Sequence, residues 1–140
     1  MLKKLLVPVD GSESAGRALA YAVDLTQLSK GAEILLVYCH RPFPKLLGEP
    51  YLQAAINAIQ EDADRIVAPY RKRLESAGVH YTELLLEGAA WQKITEAAEI
   101  EKCDLIIMGS RGCSDLKGLV VGSVTHRVLH ATPCPVLVVR

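Results

Sequence analysis

The segment Leu5-Leu6-Val7-Pro8-Val9-Asp10-Gly11-Ser12 carries an apolar run into a polar, glycine-bearing turn. Three further runs are also rich in leucine, isoleucine and valine: Ile34 to Cys39, Leu105 to Met108 and Val136 to Val139. None of the four alternates strictly between apolar and polar residues. A continuous apolar run of this length is typical of a strand covered on both faces, as in a parallel sheet. The more mixed segment Tyr81 to Glu87 is a fifth strand candidate, which we place at a sheet edge.

Segments with helical spacing lie between these runs. In the first, from Ala15 to Val23, apolar residues recur on one face. A longer segment spans about residues 51–77, and Pro69 inside it predicts a kink or a break. Two more follow, one around Trp91 and one around Val128. The order β-α-β-α-β-α-β-α-β predicts an α/β fold with an open parallel sheet and helices on both sides.

Length and composition restrict the class of protein. The 140 residues are 50% hydrophobic and 23% charged, a globular composition at the length of one domain, and no linker divides them, so we predict a single domain over residues 1–140. Lysine plus arginine equals aspartate plus glutamate, so the chain lacks the cationic excess of a general nucleic-acid binder. No apolar run approaches the roughly 20 residues of a membrane helix. The run after Lys4 is too short for a signal-peptide core, and the four cysteines form no CxxC pair, so we expect a cytoplasmic protein with reduced thiols.

The stretch from Met108 to Thr125 leaves a predicted strand and enters a predicted helix. Gly109 and Gly112 allow the chain to turn and let another group approach the backbone closely. Gly122 and Ser123 open the helix, whose first amides lack intrahelical partners and form a ready anion site. Neither the Walker ending nor the GxGxxG fingerprint occurs there. From the residues alone, a phosphate site and a plain glycine turn capped by Ser123 stand as equal alternatives.

Two questions concern strand neighbours. In an open parallel sheet, ligands bind beyond the carboxyl ends of strands where the winding reverses. If the first and fourth strands adjoin, Asp10 and the glycine segment flank one crevice, but the residues do not reveal which strands adjoin.

The last strand, Pro135 to Val139, would be an aggregation hazard at a sheet edge. Pairing with a second copy would cover that edge and give a two-fold dimer, whereas an interior strand needs no partner.

The spacing Gly109-x2-Gly112-x9-Gly122-Ser123 resembles the nucleotide motif of the universal stress protein family, in its ATP-binding branch. The resemblance spans essentially the whole chain. It implies a Rossmann-like, open, doubly wound, five-stranded parallel sheet with strand order 3-2-1-4-5. It also implies a homodimer through the strand Pro135 to Val139. The flanking segments that carry the resemblance are Val7 to Ser12, Asp104 to Gly112, Gly122 to Thr125 and Pro133 to Val139.

The resemblance further implies a site for ATP, with Mg²⁺ or Mn²⁺ as a candidate companion ion. Asp10 would lie near the ribose or a metal-bound phosphate. The adenine would pack against the end of the second strand, where either Tyr38 or Cys39 takes the family's usual aliphatic place. Ala90 replaces a proline common in the family, and Thr125 is an additional candidate. The implied contact residues are Pro8, Val9, Asp10, Tyr38, Cys39, Met108, Gly109, Ser110, Arg111, Gly112, Gly122, Ser123 and Val124.

The resemblance implies a cytoplasmic, ATP-binding regulatory or stress-response protein that acts as a homodimer, and composition leads us to expect neither a nucleic-acid nor a membrane partner. The alternatives are a slow ATPase of the same fold, with Asp10, Arg111 and Lys117 as the clearest polar candidates nearby, and a dimeric interaction module without nucleotide. No paired base emerges, so we assign no catalytic residue. His126 and His130 share a helix face, but Arg127 stands where a zinc-protease motif requires glutamate, so we expect solvent-exposed histidines.

Overall fold

The computed structural model describes residues 2–111 and 121–140. Strands and helices alternate along this part of the chain. The strands pair in parallel in the order β3-β2-β1-β4-β5, which confirms the predicted α/β fold and strand order. The elements are β1 (Lys4–Pro8), α1 (Glu13–Leu28), β2 (Glu33–His40), α2 (Tyr51–Ser76), β3 (Tyr81–Glu87), α3 (Ala90–Ile100), β4 (Leu105–Gly109), α4 (Ser123–Ala131) and β5 (Val136–Val139).

Two apolar layers sandwich the sheet. Leu5 of β1 packs in one layer with Leu19 of α1 and Leu74 of α2. Leu6, the next residue of the same strand, packs in the opposite layer with Val128 of α4. All five side chains are fully buried. Because helices cover both faces, successive strand residues are all apolar, which is why the strands have continuous apolar runs in the sequence.

The helix α2 continues through Pro69, so of the two predicted alternatives, a kink or a break, the break is absent. An interior proline removes one intrahelical hydrogen bond and costs about 3 kcal/mol or more. Ile59 and Val67 precede Pro69 and Leu74 follows it, and all three are buried against the sheet. Burial of each such side chain contributes about 1.5–3 kcal/mol, which offsets the cost and holds both halves of the helix in place.

The strand β5 lies at the sheet edge, beyond β4. In the described part of the chain it pairs with β4 alone, so its outer row of backbone groups faces away from the sheet. Leu137 in its middle is 36% exposed. The edge-strand alternative from the sequence is therefore correct, and this edge is open for pairing with another chain. Among the described residues, no helix is both long and apolar enough to cross a membrane.

Candidate functional site

The winding of the sheet reverses between β1 and β4, the two neighbouring central strands. A cleft of about 120 Å³ opens beyond their carboxyl ends, at the place where open α/β sheets bind ligands. Several residues implied by the resemblance line this cleft, which brings the turn after β1 and the segment after β4 together. They are Pro8, Val9, Asp10, Cys39, Met108, Gly109, Arg111 and Val124.

The turn between β1 and α1 is held by its own polar groups. Asp10 accepts a hydrogen bond from the Ser12 amide through Oδ1 at 2.9 Å. The Ser12 hydroxyl in turn accepts from the Ala15 amide at 3.3 Å and caps the helix. Gly11 between them has φ +88°, a conformation that glycine adopts without strain, and its amide donates to the Tyr70 hydroxyl at 3.1 Å. The turn therefore presents the Asp10 side chain at the mouth of the cleft.

Gly109, the last residue of β4, lies against the first turn of α1. A Cβ at Gly109 would come 2.8 Å from both the Ala15 nitrogen and the Ser14 carbonyl carbon. The Ser14 hydroxyl oxygen would come closer still, so both the backbone and a side chain of α1 approach this glycine. The buried Ser14 hydroxyl donates to the Arg111 carbonyl at 2.6 Å. This contact joins the two segments that flank the cleft.

The N-terminus of α4 faces the cleft and is tied to β4. The buried Thr125 hydroxyl donates to the Gly109 carbonyl at 2.8 Å. Both Val124 and Thr125 line the cleft, and the Ser123 side chain is exposed. The amides of these first three residues of the helix have no intrahelical partner and lie at the positive end of the helix dipole. The fold therefore places anion-binding donors beside the cleft.

Ser110 and Gly122 have backbone partners instead of a place in the cleft wall. The Ser110 amide donates to the Val139 carbonyl at 2.7 Å, and the Gly122 amide donates to the Ser110 carbonyl at 2.6 Å. Both residues are buried. These bonds fix the two ends of the connection between β4 and α4. Gly112, the remaining glycine of the motif, and the polar candidate Lys117 lie outside the described residues.

The structure separates the two candidates at the end of β2. Side chains alternate across a strand, so neighbouring residues cannot face the same layer. Cys39 faces the cleft, whereas Tyr38 lies on the opposite side of the sheet beside Ile59 and Asp62 of α2. Burial raises the pKa of the Cys39 thiol to about 11, against a smaller opposite effect of Lys93. At neutral pH this side chain is therefore a compact, uncharged group in the cleft wall.

The cleft also contains residues that sequence reasoning did not select. Ala15 and Ala90 have short side chains that leave the cleft open, and Ile94 of α3 adds apolar surface to its wall. Ser12 was within reach of sequence analysis, because it follows Asp10 and Gly11 directly in the turn. Ile94 could not be recognised in this way, because an apolar residue on the inward face of α3 looks in the sequence like any other core residue. The unselected residues are Ser12, Ala15, Ala90 and Ile94, and the additional candidate Thr125 also lines the cleft.

A doubly wound parallel sheet with a cleft at its switch point and a helix N-terminus beside it defines a Rossmann-like α/β domain with a candidate ligand site. The chain matches the Universal stress protein family over residues 1–140 and belongs to that family. It is 39% identical over 141 residues to the Thermus aquaticus protein named "Universal stress protein in QAH/OAS sulfhydrylase 3'region", and the match covers 100% of both chains.

Solved structures of relatives share the fold. The structure of MJ0577 from Methanocaldococcus jannaschii has a TM-score of 0.87 and 33% sequence identity, and covers 99% of this chain and 96% of its own. A universal stress protein in complex with cAMP has a TM-score of 0.76 and 24% identity, and covers 99% of this chain and 97% of its own. At that identity, the second likeness concerns the fold alone.

Proposed function

We propose that this chain binds an adenine nucleotide, ATP in particular, in the cleft between β1 and β4. The observation that carries the proposal is the meeting of two chemically different surfaces in one cleft. Apolar side chains line one part of it, and the N-terminal amides of α4 lie beside another part. A nucleotide has the matching pair of parts, an apolar base and a polyanionic tail. In this proposal the whole chain acts as one nucleotide-binding domain.

The apolar part of the cleft fits a purine ring. Val9 and Met108 are 4% exposed and Ile94 is 2% exposed, and all three line the cleft with the neutral Cys39 thiol. Since a purine buries most of its surface against such side chains, we place the adenine there. A thiol and a thioether are polarizable groups that pack well against aromatic rings.

The polar part of the cleft fits a phosphate chain. The amides at the start of α4 are donors without an intrahelical partner, and the Arg111 cation lines the same cleft. The exposed Asp10 carboxylate suits Mg²⁺ or Mn²⁺, because Mg²⁺ in proteins is held by one or two carboxylates, waters and substrate phosphates. We therefore place the phosphates between Arg111 and Val124, with the ion on the side of Asp10.

The relatives and the sheet edge support the wider role. Membership of the universal stress protein family supports a regulatory part in the stress response, and a relative of the same fold is in complex with cAMP. The open edge of β5 supports a homodimer through the strand Pro135 to Val139. We propose a cytoplasmic homodimer in which nucleotide occupancy biases conformation or partner choice. The neutral net charge argues against nucleic acid as the partner.

Calorimetric titration of the purified protein with ATP, AMP and GTP tests the proposal. We expect saturable binding of adenine nucleotides and release of bound nucleotide on denaturation of freshly purified protein. The variant Gly122→Val should abolish binding, because the added side chain crowds the buried connection between β4 and α4 and displaces the α4 amides that would bind the phosphates. Gly122 has φ −72°, which a valine backbone also adopts, so the variant tests space rather than backbone strain.

Gly48→Val is the matched control, because a Cβ there meets nothing within 4 Å. It should bind ATP as the unmodified protein does. Absence of ATP binding at millimolar concentration would overturn the proposal. Phosphate release measured on the same samples, with Asp10→Ala for comparison, separates binding from hydrolysis.

A further inference from the structure

We propose that His126 and His130 form a chelating site for a divalent transition metal on the outer face of α4. Their ring centroids are 4.6 Å apart and their planes are inclined by 73°. Both residues are exposed, so a hydrated ion reaches them from solvent. The histidines do not line the cleft, and this inference does not depend on the proposed nucleotide binding.

The separation of the rings matches that of two imidazoles on one ion. Metal–nitrogen bonds to histidine are about 2.0–2.1 Å long. When the nitrogen–metal–nitrogen angle is about 90–110°, two bound imidazoles therefore have ring centroids about 4.5–5.3 Å apart. The observed centroid distance of 4.6 Å corresponds to a nitrogen–metal–nitrogen angle close to 90°. Rotation about the terminal side-chain torsion, which has a broad profile, turns the nitrogens toward a common point.

The rest of α4 holds the pair in position. Val128 between the two histidines is fully buried, and Thr125 is bonded to the Gly109 carbonyl, so the opposite face of the helix is fixed to the protein. Arg127 is the adjacent cation, and its guanidinium lies 5.9 Å from the centre of the Trp91 ring on α3. This contact engages the Arg127 charge with an aromatic ring. The helix backbone that carries both histidines is therefore held in place, and the nearest cation is directed toward Trp91.

The ligand set indicates which ions bind. Imidazole suits zinc, copper and nickel, and affinity for such a site rises from nickel to copper. Right-angle coordination favours Ni²⁺ and Cu²⁺ over tetrahedral Zn²⁺. Residues 2–111 and 121–140 contain no group of three His, Cys, Asp or Glu side chains placed to hold a metal. In this proposal water fills the remaining coordination positions, so the ion exchanges with solvent.

Titration of tag-free protein with Ni²⁺ tests the inference, after alkylation of the thiols so that sulfur does not compete. Calorimetry gives the stoichiometry, and quenching of Trp91 reports proximity, because the chain has one tryptophan. We expect one Ni²⁺ per chain. His126→Ala and His130→Ala should each weaken binding about tenfold or more, since each leaves a single imidazole. His80→Ala, on the connection before β3, should bind Ni²⁺ unchanged.

The double variant His126→Ala/His130→Ala decides the matter. Both side chains are exposed, so the variant should keep its circular dichroism spectrum and its thermal midpoint in the absence of metal. If the folded double variant binds Ni²⁺ and quenches Trp91 as the unmodified protein does, the inference is wrong. It is equally wrong if the unmodified protein shows no saturable binding at millimolar Ni²⁺.

Discussion

Gly109 and Ala15 are far apart in the sequence, yet their backbones touch: a Cβ at Gly109 would lie 2.8 Å from the Ala15 nitrogen. The contact presses the end of β4 against the first turn of α1. The two segments that flank the cleft are joined at the same place by the bond from the Ser14 hydroxyl to the Arg111 carbonyl. The width of the cleft therefore depends on the absence of a side chain at position 109.

Replacing Gly109 by alanine should destabilise the protein and impair nucleotide binding together. The added methyl group meets backbone atoms of α1, which cannot move aside as a flexible side chain does. Overpacking of this kind costs about 1–3 kcal/mol, which urea unfolding measures. Gly48→Ala is the control, because its Cβ enters open space, and it should change the free energy of unfolding by less than about 0.5 kcal/mol. Equal stability of the two variants would contradict the contact.

Replacing Thr125 by valine should lower ATP affinity more than it lowers stability. The change keeps the shape of the side chain and removes the hydroxyl that donates to the Gly109 carbonyl at 2.8 Å. Loss of a hydrogen bond of this kind costs about 1 kcal/mol. Without this hydrogen bond the start of α4 is held less firmly against β4, so its amides are less well oriented toward the phosphates. Thr26→Val is the control, because the Thr26 hydroxyl bonds within α1 to the Val23 carbonyl. If both variants bind ATP equally well, α4 is not positioned in this way.

Replacing Leu137 by lysine should convert the proposed homodimer to a monomer. Charged side chains on an edge strand oppose pairing with another chain, and Leu137 lies in the middle of β5 with 36% of its surface exposed. Light scattering after gel filtration measures the mass. Leu85→Lys is the matched control, because Leu85 is 44% exposed on β3 at the opposite edge of the sheet. A monomeric Leu85→Lys variant beside a dimeric Leu137→Lys variant would place the interface at the other edge.

The stability of the protein should fall in alkaline solution because of buried thiols. Burial raises the pKa of Cys103 from 9.0 to about 11, and the residue is 7% exposed. Between these pH values the unfolded chain releases the thiol proton while the folded chain keeps it. The contribution of Cys103 is therefore complete below about pH 9 and is lost as the pH rises through about 11. The loss amounts to about 2–3 kcal/mol, since each pKa unit corresponds to about 1.4 kcal/mol.

Urea unfolding of the unmodified protein and of Cys103→Val, compared over this pH range, isolates the effect. The variant lacks the titrating thiol, so its stability should decline less steeply with pH. Cys134→Ser is a useful comparison, because burial raises the pKa of Cys134 as well but that residue is more exposed. Parallel curves for the unmodified protein and Cys103→Val would show that folding does not raise the pKa of the Cys103 thiol.

The sequence of this protein by itself determined the number, kind and order of its elements. Strands buried on both faces must be apolar throughout, and helices packed on one side must carry an apolar stripe, so runs such as Leu105 to Met108 and stripes such as that of α1 are visible without a structure. The Asp10 turn and the glycine motif beginning at Gly109 were visible for a similar reason. They interrupt those apolar patterns with glycines and polar residues, which stand out in the sequence.

Only the tertiary structure decided which of these residues meet. It placed Cys39 rather than Tyr38 in the cleft, because the phase of alternation along β2 depends on how the strand pairs with its neighbours. It put the Ser110 carbonyl against the Gly122 amide and brought the α1 backbone to Gly109. These contacts join segments distant in the chain. Local propensity does not encode them, because they arise when the whole sheet and its two helical layers pack at once.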